Sequence, residues 1–114
     1  MDLLNTGQID AMASDMPELL LPIVSDFEAS GRESLSKLHG ALTEMRYDEA
    51  KAILHQLKGA AGTMGMVEFQ ELCRECEDQV AAHTIPPRFG ELGGLMIQSV
   101  HGAAAYLRGE QTPP

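Results

Sequence analysis

The chain has 114 residues, which is enough for one domain with a single modest hydrophobic core. Its formal net charge is −9, so it repels both the phosphate backbone of nucleic acids and anionic lipid surfaces. The longest apolar stretch, residues 19–24, is far shorter than the roughly 18 residues that span a bilayer, and no signal peptide precedes it. We therefore expect a cytoplasmic protein that binds neither nucleic acid nor membrane.

Helical periodicity runs through most of the chain, and the strict alternation that is typical of strands is absent. Residues 1–14 are expected to form an arm or a short helix, and residues 109–114 a disordered tail. The first long helix is predicted to begin after Asp15, a typical N-cap residue. Its apolar stripe consists of Leu20, Ile23, Val24, Phe27, Leu35, Leu38 and Leu42.

The second helix is predicted to follow a short turn at residues 45–48 and to end at Gly65, a residue type that is common just beyond helix C-termini. Its expected buried face contains Ala50, Ile53, Leu57, Ala60, Ala61 and Met64. Apolar spacing of three and four residues continues into a third helix. The inward positions there are Met66, Phe69, Leu72, Cys73, Cys76 and Val80.

Two prolines, Pro86 and Pro87, mark the end of the third helix, and a fourth is predicted over residues 89–107 despite its glycines. Short connections favour antiparallel neighbours. The sequence therefore predicts an all-α protein, an up-and-down antiparallel four-helix bundle over residues 15–108.

The segment from His55 to Gly65 is the most informative part of the sequence. At about 100° per residue, one arc of the second helix carries a histidine, two lysines and two glycines. These residues are Lys51, His55, Lys58, Gly59 and Gly62. Glycine inside a helix costs about 0.8–1 kcal/mol relative to alanine, so the glycines suggest that another molecule approaches His55 closely.

The pattern His-x-Leu-Lys-Gly-small-small-x-x-apolar-Gly, which starts at His55, resembles the motif of the histidine phosphotransfer (HPt) domain family. The match includes Leu57, Lys58, Gly59 and every further motif position up to Gly65. Chain length and helical pattern are most similar to the HPt domains that end tripartite hybrid sensor kinases. The resemblance implies a phosphorelay intermediate that exchanges a phosphoryl group with receiver-domain aspartates.

In that role His55 would be the phosphorylated nucleophile and Lys58 would supply positive charge, with a second charge from Lys51. Gly59 and Gly62 would leave room for the partner. The chain has no phosphate-binding loop of the Gly-x-x-x-x-Gly-Lys-Ser/Thr type, so we expect a phosphocarrier rather than a kinase. We expect it to be a monomer that needs no cofactor of its own, with Mg²⁺ bound by the partner receiver domain.

Two residues outside the second helix complete the predicted site. Glu77 lies at the border of the third helix's apolar face, where a neighbouring helix could bring it to His55. In HPt domains the position 22 residues after the histidine is commonly Gln or Glu, and we expect Glu77 to orient the imidazole. Met66, near the helix junction, is a candidate for contact with a receiver domain.

Three alternatives accompany this hypothesis. The chain could bind a receiver domain without carrying phosphate, or His55 could be an ordinary exposed histidine. Cys73 and Cys76 form a Cys-x-x-Cys pair that could suggest redox chemistry or half of a zinc site. Both cysteines belong to the apolar stripe and no second ligand pair exists, which favours core packing. His39, His83 and His101 show no partner pattern.

Overall fold

The computed structural model describes residues 2–14 and 16–109. These residues form five α-helices and contain no strand: α1 (Thr6–Ala13), α2 (Leu21–Thr43), α3 (Tyr47–Thr63), α4 (Val67–Ala81) and α5 (Leu92–Leu107). Single turns of 3-10 helix, Pro17–Leu19 and Phe89–Glu91, precede α2 and α5. The predicted N-cap Asp15 and residues 110–114 lie outside the described residues.

Helices α2 to α5 form the predicted up-and-down bundle. Each packs against its neighbours in the order α2, α3, α4, α5, and α5 closes the ring against α2. Phe27 of α2 and Phe69 of α4 meet edge to face at the centre, with ring centroids 6.3 Å apart. Gly31 allows α5 to approach α2, because a Cβ there would lie 2.5 Å from the sulfur of Met96.

The core differs from the sequence prediction most clearly at the following positions. Ile23 was expected inside but is 51% exposed, because it lies at the edge of the apolar stripe of α2. Leu54 was not assigned to the buried face of α3, yet it is fully buried. Ser99 is a buried polar residue on α5, and its hydroxyl donates to the Leu95 carbonyl one turn earlier, which satisfies it locally.

Helix α3 ends in a Schellman motif that sends the chain directly into α4. The Met66 N–H donates to the Ala61 carbonyl at 2.9 Å and the Gly65 N–H to the Gly62 carbonyl at 3.2 Å. Gly65 has a φ of 71°, the left-handed conformation that this motif requires. The tight connection fixes how α4 lies beside α3, and thereby which α4 residues face His55.

The N-terminal segment forms a helix, α1, that is packed against the bundle. Ile9 is 2% exposed and joins the core. The Asn5 N–H donates to the Gly65 carbonyl at 2.7 Å, and the Gln8 side-chain amide donates to the carbonyls of Gly62 and Thr63. These bonds satisfy carbonyl groups at the C-terminus of α3 that no residue within the helix can reach.

In the part of the chain that the structure describes, we find no helix that combines the length and the apolar character needed to cross a bilayer.

Candidate functional site

The imidazole of His55 stands on the exposed face of α3, about midway along the helix. Ala50, Leu54, Leu57 and Ala61 form the buried face of the same helix. His55 lies well away from that direction, and its side chain is 72% exposed. A side chain this open is accessible to another protein and contributes little to the core.

Glu77 of α4 brings its carboxylate between His55 and Lys58. Its Oε2 lies 3.3 Å from the imidazole Nδ1, and its Oε1 lies 2.9 Å from the Lys58 ammonium. The Glu77 side chain is only 11% exposed, whereas that of Lys58 is 26% exposed. The sequence analysis placed Glu77 beside His55, but it did not foresee the ion pair between Glu77 and Lys58.

This arrangement determines which imidazole nitrogen carries the lone pair when the ring is neutral. Desolvation raises the pKa of Glu77, but hydrogen bonds from Lys58 and His55 outweigh it and leave the pKa below its ordinary value. An ionised carboxylate can only accept hydrogen bonds, so Nδ1 of His55 carries the proton that it shares with Glu77. The lone pair of the neutral ring is therefore on Nε2, which is directed away from Glu77.

The two glycines that the sequence analysis grouped together have different surroundings. A Cβ added to Gly59 would meet no atom within 4 Å. A Cβ added to Gly62 would lie 2.4 Å from the side-chain amide nitrogen of Gln70 on α4. Gly59 therefore leaves open space beside His55, whereas the space at Gly62 is already filled by Gln70.

At Gly62 a side chain would require the flexible Gln70 amide to move, so the open space expected at both glycines is present at Gly59 and is occupied by Gln70 at Gly62. No sequence signal pointed to Gln70, because the contact depends on how α3 and α4 are aligned. Met66 also differs from its expected role, since it is fully buried. Its position directly after the Gly65 turn directs the side chain into the core, where no receiver domain can contact it.

Lys51 lies one turn before His55 on α3 and is exposed. Within residues 2–14 and 16–109 it has no ion-pair partner. It thus differs from Lys58, although the two lysines flank the same histidine.

Cys73 and Cys76 are both completely buried on α4. Burial is the main cause that raises the pKa of the Cys73 thiol to about 12 and that of Cys76 to about 11. Thiols with such pKa values remain protonated at neutral pH, and protonated, inaccessible thiols are poor nucleophiles and poor metal ligands. The structure therefore favours the core-packing interpretation of the Cys-x-x-Cys pair.

The other three histidines are exposed and are not part of this site. His39 stacks on Phe89 with ring centroids 5.8 Å apart, and His83 stacks on Tyr47 at 4.9 Å. His101 lies on the exposed side of α5.

Comparison with known proteins agrees with the all-helical fold. The family model of the Hpt domain matches residues 22–108, which is most of the chain. The protein belongs to the Hpt domain family. Its role is accordingly histidine phosphotransfer in two-component signalling. Hpt proteins are phosphoryl carriers rather than kinases, and they interact with receiver domains in phosphorelays.

Among solved structures, the Hpt fold of the chain is similar to that of histidine-containing phosphotransfer protein B (HptB) from Pseudomonas aeruginosa PAO1. The TM-score is 0.74 and the sequence identity is 20%, with 94% of this chain and 92% of the HptB chain covered. No curated protein matches the chain significantly.

Proposed function

We propose that His55 carries the phosphoryl group, which it accepts from the phosphorylated aspartate of a receiver domain and returns to such an aspartate. The observation that carries this proposal is the exposed imidazole whose Nδ1 is held by Glu77 at 3.3 Å. In the neutral ring this contact places the proton on Nδ1 and leaves the lone pair on Nε2, which is directed away from α4. The open space above Gly59 supports the close approach that the reaction requires.

The transfer step follows from this arrangement. The Nε2 lone pair attacks the phosphorus of the aspartyl phosphate in line with the bond to the aspartate oxygen. The N–P bond forms as the P–O bond breaks, and the aspartate leaves as a carboxylate. The proton stays on Nδ1, so the ring becomes a cation that the Glu77 carboxylate stabilises. In the reverse direction the same bonds form and break in the opposite order.

The receiver domain would supply the remaining parts of the reaction. Mg²⁺ held by its acidic residues would neutralise the equatorial phosphoryl oxygens, and this chain would bring no cofactor of its own. We propose that the chain acts as a cytoplasmic monomer, with receiver domains of response regulators or hybrid sensor kinases as its partners.

Transfer of labelled phosphate from phosphorylated receiver domains tests this proposal. We expect the parent chain to gain an acid-labile label and His55→Gln to gain none, with equal helicity because the side chain is exposed. His101→Gln, an exposed histidine change on α5, is the matched control and should be labelled like the parent. Labelling of His55→Gln would refute the proposal, and binding of a receiver without label would indicate a non-catalytic interaction module.

A further inference from the structure

Two lysines flank His55, and the structure places them in different situations. Lys58 lies at the boundary between α3 and α4 with its ammonium against Glu77, whereas Lys51 is exposed on α3. On the basis of the proposed phosphorylation of His55, we propose that Lys51, rather than Lys58, is the cation that contacts the phosphoryl group.

Lys58 already compensates a nearly buried charge. The Oε1 atom of Glu77 is inaccessible to solvent and receives no directed hydrogen bond from the described residues. The Lys58 ammonium at 2.9 Å is its nearest compensating charge. Moving Lys58 toward a phosphoryl group would take its ammonium away from Oε1 and leave the nearly buried Glu77 carboxylate with the His55 ring as its single partner, which is unfavourable.

Lys51 has no such constraint. It is exposed and, in the part of the chain described here, takes part in no ion pair. Turning it toward a phosphoryl group breaks no existing interaction. Only its own side-chain freedom is lost, as for any exposed lysine.

Helix geometry places Lys51 one turn before His55. Residues four apart on a helix have Cβ atoms about 5–6 Å from each other, and side chains tilt toward the helix N-terminus, so the imidazole of His55 leans over the turn that carries Lys51. Because Nδ1 is directed to Glu77, a phosphoryl group on Nε2 lies on the open side of the ring. The Lys51 side chain has the same tilt, and we infer that its long, flexible chain folds back to bring the ammonium to that side.

The charges of the site agree with this assignment. The Glu77 carboxylate and the Lys58 ammonium balance each other in an ion pair. Lys51 is the lysine beside His55 whose charge is not used in this pair, and it can face an acidic receiver pocket. Lys58 acts indirectly, as a positioning residue that holds Glu77 in place for His55.

Acylation of lysines before and after phosphorylation tests the inference on the chain itself. Phosphoramidate serves as the phosphoryl donor, acetyl N-hydroxysuccinimide as the acylating reagent, and mass spectrometry reads each lysine. We expect phosphorylation to slow acylation of Lys51 by about two- to fivefold, the strength of an exposed ion pair. Lys58 should react slowly in both states, and the exposed Lys37 of α2 is the internal control that should not change.

Two results would overturn the inference. If His55 is phosphorylated while Lys51 keeps the acylation rate of the resting chain, Lys51 does not contact the phosphoryl group and the proposed function stands. If incubation with phosphorylated receiver domains also leaves His55 without a phosphoryl group, as read by peptide mass spectrometry, the proposed function fails and the inference fails with it.

A pair of variants gives a second readout. Lys51→Gln should change the hydrolysis rate of phosphohistidine by about two- to fivefold at low salt, and the difference should vanish near 1 M salt, where charges are screened beyond about 3 Å. Lys37→Gln is the matched control and should leave the rate unchanged. Equal hydrolysis rates for both variants at low salt would contradict the inference.

Discussion

The two halves of the histidine motif show how one residue type can serve opposite purposes. In the first half, His55 and Gly59 lie on the exposed face of α3 together with Lys51, which precedes the motif, and Gly59 has no neighbour where a side chain would be. In the second half Gly65 is buried, and side chains at Gly62 and Gly65 would meet Gln70 and Asn5. A glycine in the first half leaves space for another protein, whereas the glycines of the second half leave space for the chain itself.

The largest effect that separates the two halves is expected from Gly65→Ala. The alanine would have to adopt the left-handed φ of 71° that Gly65 has, and its Cβ would lie 2.9 Å from the Asn5 carbonyl oxygen. We expect a loss of about 2–4 kcal/mol in the free energy of unfolding, measured by urea denaturation.

Met45 offers a matched control for that change, because it occupies the equivalent position after α2 with a φ of 56°. Met45→Gly removes the strain of a left-handed side chain, so it should stabilise the chain by up to about 1 kcal/mol. If Gly65→Ala is as stable as the parent, the junction between α3 and α4 tolerates a side chain and the comparison fails.

The next largest effect on stability is expected at Glu77 of α4, whose carboxylate contacts both His55 and Lys58 of the motif. Its pKa is lowered in the folded chain, so its ionised form adds stability above the ordinary pKa of 4.5, and this contribution is lost as the pH falls through the folded-state pKa. Glu77→Gln should lose about 1–3 kcal/mol at neutral pH, because Lys58 loses its partner. As the pH is lowered from about 4.5 to 2, the free energy of unfolding of this variant should fall less than that of the parent.

Urea denaturation across that pH range measures both effects. Glu75→Gln is the control, because it removes a half-exposed carboxylate of α4 whose nearest basic partner, Arg88, lies 3.5 Å away. If the two variants show the same pH dependence as the parent, the ion pair between Glu77 and Lys58 does not contribute to stability.

The smallest effect on stability is expected from Gly59→Gln. This change should slightly stabilise the chain while it slows phosphoryl transfer. Glutamine is the better helix former, so the chain should gain about 0.5 kcal/mol. The side chain would extend beside His55 into the space that a receiver must occupy, where about 1 Å of misplacement can slow transfer about a hundredfold.

Thermal melting together with transfer from a phosphorylated receiver measures both consequences. Gly59→Ala is the control, because it improves the helix with far less bulk and should retain more of the transfer rate. A Gly59→Gln chain that transfers phosphate at the parent rate would show that Gly59 does not provide clearance.

The sequence predicted the bundle and the first half of the motif well, because both depend on periodicity within single helices. The buried positions of α4 were correct for this reason, and His55 was correctly placed outside the apolar stripe of α3. The prediction that Ile23 is buried was wrong, because periodicity alone does not show how far a neighbouring helix covers the apolar stripe of α2.

The second half could not be predicted in the same way, because its contacts join different elements. Gln70 fills the space at Gly62, and the backbone of Asn5 covers Gly65. Neither contact follows from the pattern of one helix. Met66 was correctly listed among the inward positions of α4, and its burial leaves it unable to meet the second expectation, contact with a receiver domain. The ion pair between Lys58 and Glu77 depends on the alignment of α3 with α4.

Nitrogen-15 NMR of the histidine rings after phosphorylation tests the central claim most directly, since two-bond correlations identify which ring nitrogen of which histidine carries phosphorus. We predict that His55 alone among the four histidines is phosphorylated, on Nε2, while its Nδ1 remains protonated toward Glu77. Phosphorus on Nδ1 of His55, or on His39, His83 or His101, would contradict the account.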